Sequence, residues 1–210
     1  MPEPVMTSPD VAEDVELAES VSIAMLAVLE TLVPTERAVF VLREVFDVPY
    51  GEIAEALDKT PAAVRQIATR ARKHVAARRP RMSVSRSEQE QVVARFLAAL
   101  TSGDVPGLLA VMAPDVLVVG DGGGLAPTIP KPVRGAARLA PVMAGFAEAA
   151  PGARAFLVDL NGSIAARIDP GGENDTAVSF VIEGGRITQI YAMRNPHKLE
   201  RLGEVAELRR

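Results

Sequence analysis

A run of basic residues stands out in an otherwise acidic chain. Residues 59–81 contain eight Lys or Arg and no Asp or Glu, whereas residues 1–58 contain 13 acids and two Arg. The 210-residue chain has a formal net charge of −4, so this local excess is a footprint for a polyanion such as DNA. The simpler alternative is a solvated face of a basic helix with no partner.

A few side chains in the second half have the chemistry for acid–base catalysis. Asp121 and Asp159 are suited to act as a general base, and Tyr191, with Arg194 close in sequence, to stabilise an oxyanion. Each also has a structural alternative: turns beside Gly residues for the two carboxylates, and a core position for the tyrosine. We favour these alternatives and predict neither a catalytic residue nor a cofactor.

The composition excludes several kinds of site. The chain has no Cys, which excludes disulfides, thiolate metal sites and a cysteine nucleophile, and we predict no metal site. No stretch approaches the roughly 20 uninterrupted apolar residues that span a bilayer. The first residues lack the basic and apolar regions of a signal peptide. We therefore expect a cytoplasmic protein with no membrane contact.

Helical periodicity predicts two helices before the basic run. Apolar residues three and four apart indicate a helix over residues 10–32, which Pro34 ends. Thr35 is predicted to cap a second helix that ends at Phe46 and carries Val45 and Phe46 inward.

The basic run itself is predicted to form the long helix of a helix-turn-helix. A short helix over residues 49–57 is followed by the tight connection 58–59. Thr60 is placed to cap the next helix, Pro61 suits its first turn, and the helix is expected to reach about Arg79.

The two faces of this long helix differ in chemistry. Val64, Ile67, Ala68, Ala71 and Val75 share one side, which is expected to pack against Leu42, Ile53 and Leu57. On the other side, Arg pairs with guanine and Gln with adenine in the major groove, so we predict base contacts from Arg65, Gln66 and Arg70. Residues further along are assigned to phosphates. The predicted DNA-binding set is Thr60, Arg65, Gln66, Thr69, Arg70, Arg72 and Lys73, with Arg78 and Arg79 as further phosphate contacts.

The pattern changes after a polar connector at residues 80–87. Helices are predicted from Glu88 to Thr101, over residues 108–112 and over residues 135–149. Strands are predicted over residues 116–119, 153–159, 162–168, 176–182 and 186–193, and helical spacing over the tail 195–210. This order fits an α+β cone, a curved sheet wrapped around helices.

The first half resembles region 4 of extracytoplasmic-function sigma factors. The resemblance rests on TERAVFVLREVF at residues 35–46, YGEIAEAL at 50–57, VRQ at 64–66 and RARK at 70–73. It implies that this region reads the promoter −35 element and contacts the β flap of the RNA polymerase core.

The remainder is similar to a subgroup of these factors with a C-terminal SnoaL-like (nuclear-transport-factor-2-like) extension. That subgroup carries a proline-rich linker motif, an Asp-Gly-Gly-Gly motif and an Asn-Pro-Asp-Lys-Leu motif. They correspond to PEPV at residues 2–5, then Asp121, Gly122, Gly123 and Gly124, then Asn195, Pro196, His197, Lys198 and Leu199. His197 replaces the usual Asp and removes a negative charge. Region 2, which would precede the linker motif, is expected to be missing, so the chain alone is not expected to open a promoter.

A multidomain protein follows from this resemblance. We expect a linker at residues 1–9, an all-α helix-turn-helix domain at 10–81, a linker at 82–87, the α+β domain at 88–194 and a tail at 195–210. The α+β domain is expected to regulate polymerase engagement through an intramolecular contact made by the second and third motifs. Two alternatives remain open: a ligand-responsive helix-turn-helix regulator, and an isomerase- or cyclase-type enzyme fused to a DNA-binding domain.

Overall fold

The computed structural model describes residues 1–7, 23–78, 84–171, 175–200, 202 and 205–206. The chain separates into two compact units. One comprises residues 24–80 with Pro2, and the other brings residues 1 and 3–23 together with residues 81–210.

The first unit is helical. Its elements are α1 (Ile23–Glu30), α2 (Pro34–Phe40), a π-helix (Val41–Val45), α3 (Tyr50–Ala56) and α4 (Pro61–Arg78). Residues 10–22 of the predicted first helix lie outside the described residues. The predicted cap at Thr35 is wrong, because α2 begins at Pro34 and its cap is Val33, two residues before Thr35. Proline suits the first helical position, where its missing N–H group has no intrahelical partner to lose.

Helix α4 is anchored along its whole apolar side by two clusters. Its first half packs Val64, Ile67 and Ala68 against Val39 and Ile53, largely as predicted. Its second half packs elsewhere than predicted, on residues of α1, of α2 and of the turn between them: Ala71 and Val75 pack with Val28, Leu29, Leu32 and Phe40. Both halves are therefore fixed in rotation about the helix axis.

The π-helix turns two apolar side chains outward. Val45 and Phe46 are 58% and 67% exposed, so the prediction that they face inward is wrong. A π-helix inserts a residue relative to an α-helix, which shifts every following side chain around the axis. Phe40, before the insertion, remains in the core.

The start of α4 is confirmed. Thr60 Oγ1 accepts a hydrogen bond from the Ala63 amide at 3.2 Å, and Pro61 is the first helical residue. Asp58 has a φ of 51° in the tight turn from α3, and the Lys59 amide donates to the Ala54 carbonyl. The short turn thus sets α3 directly before α4, as in a helix-turn-helix.

The second unit is α+β. In chain order, its helices and strands after the connector are α5 (Arg86–Ser102), α6 (Val105–Val111), β2 (Met112–Asp121), β3 (Val133–Arg134), α7 (Ala136–Ala144), α8 (Phe146–Ala149), β4 (Arg154–Leu160), β5 (Ser163–Asp169), β6 (Thr176–Glu183), β7 (Arg186–Met193) and α9 (Pro196–Leu199). The four strands β4–β7 agree with the prediction to within about one residue at each end.

The strands of this unit form one sheet in the order β3-β2-β7-β6-β5-β4-β1-β8, where β1 is Met6–Thr7 and β8 is Val205–Ala206. Strands β4 to β7 form an antiparallel meander, and β2 pairs with β7 in parallel. One face carries the main core, where α5, α6 and α7 pack against residues such as Val118 and Ile190. Phe96 of α5 meets Phe180 of β6 edge to face, with 5.3 Å between ring centroids.

The ends of the chain differ from the prediction. The third motif forms only a four-residue helix, and Val205–Ala206 then pairs in parallel with Met6–Thr7 instead of continuing a helix. The first residues, predicted to be irregular, supply β1, in which Met6 pairs with Leu160 at the edge of β4. An open strand edge presents unpaired N–H and C=O groups, and this pairing outweighs the helical spacing of the tail.

Candidate functional site

The outward side of α4 carries the polar residues predicted to contact DNA. Arg65, Gln66, Thr69 and Arg70 line an open depression together with Ala62. All are exposed, while the residues between them, Val64, Ile67 and Ala68, are buried. The predicted division of the helix into an anchored face and a polar face is confirmed.

Two cations on this side have no partner within the described protein. Arg65 and Lys73 make no hydrogen bond or ion pair with any residue that the structure describes. Thr69 Oγ1 donates to the Arg65 carbonyl at 2.9 Å, which leaves the threonine methyl group on the surface. The arrangement presents positive charge, amide groups and a methyl group to solvent, the chemical set that major-groove edges recognise.

Arg70 forms a long ion pair with Glu36, which orients its side chain only weakly. Its Nε lies 3.7 Å from Glu36 Oε1, and the same carboxylate lies 3.9 Å from His74 Nδ1. The Arg70 side chain is still 65% exposed. An ion pair this open adds little stability, and the guanidinium remains available to a ligand.

Arg72 lies among protein partners. Its Nη2 donates to the Tyr50 hydroxyl at 3.1 Å, its Nε donates to the Ala68 carbonyl, and Glu44 lies 3.7 Å away. Arg43 covers the ring of the same Tyr50, with 5.0 Å from its guanidinium carbon to the ring centroid. Sequence reasoning missed Tyr50 and Glu44, which tie α4 to α3 and the π-helix. The predicted contacts of Arg78 and Arg79 involve side chains that lie outside the described part of the chain.

The second and third motifs meet around Asp121. Asp121 accepts hydrogen bonds from Lys198 Nζ at 2.9 Å and from the Gly123 amide at 3.0 Å. Its carbonyl accepts from the amides of Arg194 and Asn195. Lys198 also donates to the Met1 carbonyl, so the beginning of the chain joins the same network. We call Asp121, Gly123, Asn195 and Lys198 the motif cluster.

The Asn195 side chain lies so close to Gly123 that position 123 has no room for a side chain. The Asn195 side chain is nearly buried and accepts from the His197 amide at 3.1 Å, which caps α9. Gly123 has a φ of +60°, and a Cβ there would overlap the Asn195 amide group. Gly124 also has a positive φ but faces open space, and Gly122 approaches the Ala126 carbonyl.

The remaining motif residues diverge. His197 is 73% exposed and lies 3.3 Å from Glu200, away from Asp121. Pro196 is exposed at the first position of α9. Leu199 packs on an apolar cluster that contains Leu160, Met193, Met1 and Met6.

Asn161 holds the first motif, a role that was not predicted from the sequence. Its Oδ1 accepts from the Val5 amide at 3.0 Å, and its own amide donates to the Val5 carbonyl at 2.8 Å. Asn161 is 3% exposed and has a φ of 51°, a backbone conformation that Asn tolerates better than most residues. Val5, the last residue of the first motif, is thereby fixed against the end of β4.

The groups considered for acid–base chemistry are all engaged. Asp159 forms a bidentate pair with Arg86 at 2.7 and 3.0 Å, and the Tyr191 hydroxyl donates to Gln189 at 2.6 Å. Strand alternation puts Asp159 on the face of the main core and Tyr191 on the opposite face, beside β2 residue Val119.

The pKa shifts agree with structural roles. Burial raises the pKa of Asp121, but hydrogen bonds from Lys198 and the Gly123 amide outweigh it, and the net pKa lies below the ordinary 3.8. Asp121 is thus a weak base at neutral pH. Burial raises the pKa of Tyr191.

The described residues offer neither a membrane-spanning helix nor a metal cluster. None of their helices is both long and apolar enough to cross a membrane. They contain no group of three or more His, Asp or Glu side chains placed to hold a metal ion.

The comparisons with known proteins agree with this geometry. The Sigma-70, region 4 family matches residues 22–75. The ECF RNA polymerase sigma factor SigJ of Mycobacterium tuberculosis (strain ATCC 25618 / H37Rv) is 34% identical over 212 residues, which cover 94% of this chain and 68% of that protein. The probable ECF RNA polymerase sigma factor SigI of the same strain is 32% identical over 206 residues, which cover 94% of this chain and 66% of that protein.

Structural similarity extends over both units. The crystal structure of M. tuberculosis SigJ aligns with a TM-score of 0.74 and 31% identity, covering 95% of this chain and 74% of that one. An NTF2-like protein from Burkholderia xenovorans LB400 aligns with 56% of this chain at a TM-score of 0.40. The alignment with SigJ runs through both units, and the chain belongs to the ECF sigma factors, with region 4 followed by an α+β domain.

Proposed function

We propose that this chain supplies the −35 promoter-reading and polymerase-binding part of an alternative sigma factor acting in the cytoplasm. The observation that carries the proposal is the polar side of α4, where Arg65, Gln66 and Arg70 project from a helix anchored along its opposite side. A helix fixed in this way can enter the major groove without first having to be ordered.

Each residue of the polar side then has a role. Arg65 and Arg70 donate to guanine, Gln66 pairs with adenine, and the Thr69 methyl group contacts thymine. Lys73 neutralises a phosphate. Thr60 caps the helix end that enters the groove, and Arg72 positions α4 through Tyr50.

The apolar surface of the π-helix suits the polymerase contact. Val45 and Phe46 are exposed next to each other in sequence. Large apolar side chains exposed together on a small domain mark a site for a protein partner. In region 4 factors that partner is implied to be the β flap of the RNA polymerase core.

The α+β domain has a regulatory role in this proposal and does not catalyse a reaction. The motif cluster contacts Met1 and Asn161 contacts Val5, on either side of the segment 2–5 that resembles the linker motif ahead of region 4. A domain that holds this linker restricts the movement of the two protein regions that the linker connects. The partners of the candidate acid–base groups speak against an enzyme, because cations hold the carboxylates of Asp121 and Asp159, and the Tyr191 hydroxyl donates its proton to Gln189 instead of to an oxyanion.

Selection of binding sites tests the DNA-reading proposal. A library of random duplexes is enriched on the immobilised chain and sequenced, in parallel for the wild type, Arg65→Ala and Arg95→Ala. Arg95 is an exposed arginine of α5 that bonds its own helix carbonyl, so it is the control. A consensus that Arg65→Ala loses at one position and Arg95→Ala retains is expected. If all three proteins enrich no consensus, or the same one, the proposal fails.

The regulatory role is tested in the longer sigma factor. Lys198→Met removes the ammonium group that contacts both Asp121 and the Met1 carbonyl, and it leaves the helix-turn-helix untouched. Transcription from a cognate promoter is expected to change several-fold, while affinity of the isolated chain for the −35 duplex is unchanged. Equal transcription by the two factors would contradict this role.

A further inference from the structure

The α+β unit has a group of basic side chains that no described residue neutralises. Residues 122–147 contain Lys131, Arg134 and Arg138 and no Asp or Glu. All three are exposed, and none makes a hydrogen bond or ion pair with the part of the chain that the structure describes. We call these three residues the cationic edge.

The lack of partners sets the cationic edge apart within its own unit. Every other Lys or Arg between residues 84 and 200 contacts a carboxylate or a carbonyl of the described residues: Arg86 with Asp159, Arg95 with Gln91, Arg154 with Asp169, Arg167 with Asp175, Arg186 with Met112, Arg194 with Pro127 and Lys198 with Asp121. Among the described residues 84–200, cations therefore have partners as a rule, and the exceptions lie within eight consecutive residues.

These three charges stand on a fixed backbone. Arg134 lies in β3, an outermost strand of the sheet, opposite Leu117 of β2. The Gly135 amide donates to the Val116 carbonyl at 3.0 Å, so the turn into α7 is tied down. Arg138 is in the first turn of α7, whose neighbours Ala136 and Leu139 are buried, and it therefore faces solvent.

Fold stability does not explain the placement. A cation in the first turn of a helix opposes the helix dipole, and acids are favoured there instead. The first turn of α7 has no acid and does contain Arg138. Three like charges without counter-ions also repel one another. An anionic ligand would reverse both effects.

We propose that the cationic edge binds the phosphate backbone of duplex DNA, as a second DNA contact of the chain in addition to α4. The choice of partner rests on the proposed function, because a duplex held by α4 is present at high effective concentration for the rest of the same chain. Phosphate contacts need charge and little apolar surface. Residues 130–138 expose no large apolar side chain, as the centre of a protein interface would require.

The salt dependence of DNA binding tests the proposal. Binding of the complete chain to a long fluorescent duplex of mixed sequence is measured between about 50 and about 200 mM salt. The test variant is Lys131→Gln/Arg134→Gln/Arg138→Gln. The matched control is Arg95→Gln/Arg154→Gln/Arg167→Gln, which removes the same charge from the same unit at cations that have partners.

Each phosphate contact contributes about 0.9 to the slope of log affinity against log salt. Three lost contacts make the slope shallower by up to about 2.7, and the affinity lost between the two salt concentrations becomes about 40-fold smaller than in the wild type. The control is expected to change the slope by less than about one. Equal slopes for the test variant and the wild type would overturn the proposal and leave an acidic protein surface as the alternative partner.

Failure of the proposed function gives a different result. Arg65→Ala is measured in the same titration and with an enriched −35 duplex. If Arg65→Ala changes neither the salt slope nor the affinity for the −35 duplex, while the triple variant changes the slope, the assignment of α4 fails and the proposal for the cationic edge stands. If it lowers the affinity while the triple variant has a normal slope, only the cationic edge is refuted.

Discussion

The outward side of α4 and the motif cluster are both polar, but they differ in the exposure and the hydrogen bonding of their polar groups. Arg65 and Lys73 are exposed and have no partner among the described residues, whereas Asp121 and Asn195 are largely buried and hydrogen-bonded. Exposed charges keep their hydration, so leaving them unpaired costs the fold little. Buried polar groups must be paired, and each one constrains its neighbours.

This difference distinguishes a surface that binds a partner from a cluster that holds segments of the chain in place. Truncating a side chain on the outward side of α4 removes a contact with the partner and leaves the fold intact. Truncating a member of the motif cluster leaves a buried group unpaired, which costs about 1–3 kcal/mol. Binding and stability should therefore respond to different substitutions.

The largest effect is expected on the outward side of α4. Arg65→Ala combined with Arg70→Ala should lower affinity for an enriched −35 duplex by about 100-fold or more, since each base contact contributes about 1–3 kcal/mol. Fluorescence anisotropy measures the affinity, and the free energy of unfolding should stay within about 0.5 kcal/mol of the wild type. A large loss of stability would mean that these arginines hold the fold after all.

Substitutions at two neighbouring glycines test the motif cluster. Gly123→Ala meets both a positive φ and the Asn195 side chain, whereas Gly124→Ala meets the positive φ alone. We expect Gly123→Ala to destabilise the α+β unit by about 2–4 kcal/mol and Gly124→Ala by about 1–2 kcal/mol. Chemical denaturation, with hydrogen exchange of β2 and β7 as the probe, gives the loss in free energy of unfolding for each variant. Equal losses would show that Asn195 does not constrain the residue at position 123.

Asn161 tests how the first motif is held. Asn161→Gly keeps the backbone conformation but deletes the acceptor of the Val5 amide, at a cost of about 1 kcal/mol, while Asn161→Asp keeps an acceptor. Hydrogen exchange at Val5 and Met6 should speed up in the glycine variant and change little in the aspartate variant. Slow exchange in both variants would show that β-sheet pairing alone fixes this segment.

The smallest effect expected is on acid stability. The pKa of Asp121 in the folded protein lies below the ordinary 3.8, so its contribution to stability is complete above that value. The contribution is lost as the pH falls through the lower folded-state pKa. Asp121→Asn should lack this part of the acid dependence in thermal unfolding measured from neutral pH downward. Identical acid profiles for the two proteins would contradict the pairing with Lys198.

Regular periodicity is what made much of the fold predictable. The spacing of Val64, Ile67, Ala71 and Val75 reports burial directly, and the apolar runs of β4–β7 between turn residues mark strands. The structure has these elements where they were predicted. Thr60 and Pro61 marked the start of α4 because capping is a local interaction.

Features that depend on distant or irregular contacts were not predictable. A π-helix changes the register of side chains without changing the composition, so Val45 and Phe46 were assigned to the wrong side. The pairing of Met6 with Leu160 and the bond from Arg72 to Tyr50 join residues far apart in sequence. No periodicity records such contacts, and the paired role of Asn161 was missed for the same reason.

The most direct test is whether an arginine of α4 touches a particular base. Each guanine of the enriched duplex is replaced in turn by 7-deazaguanine, which lacks the N7 acceptor of the major groove, and affinity is measured for the wild type and Arg65→Ala in a double-mutant cycle. We predict one guanine whose replacement weakens the wild type about tenfold and leaves Arg65→Ala unchanged. Losses that simply add at every guanine would contradict the claim that α4 reads the duplex from its major groove.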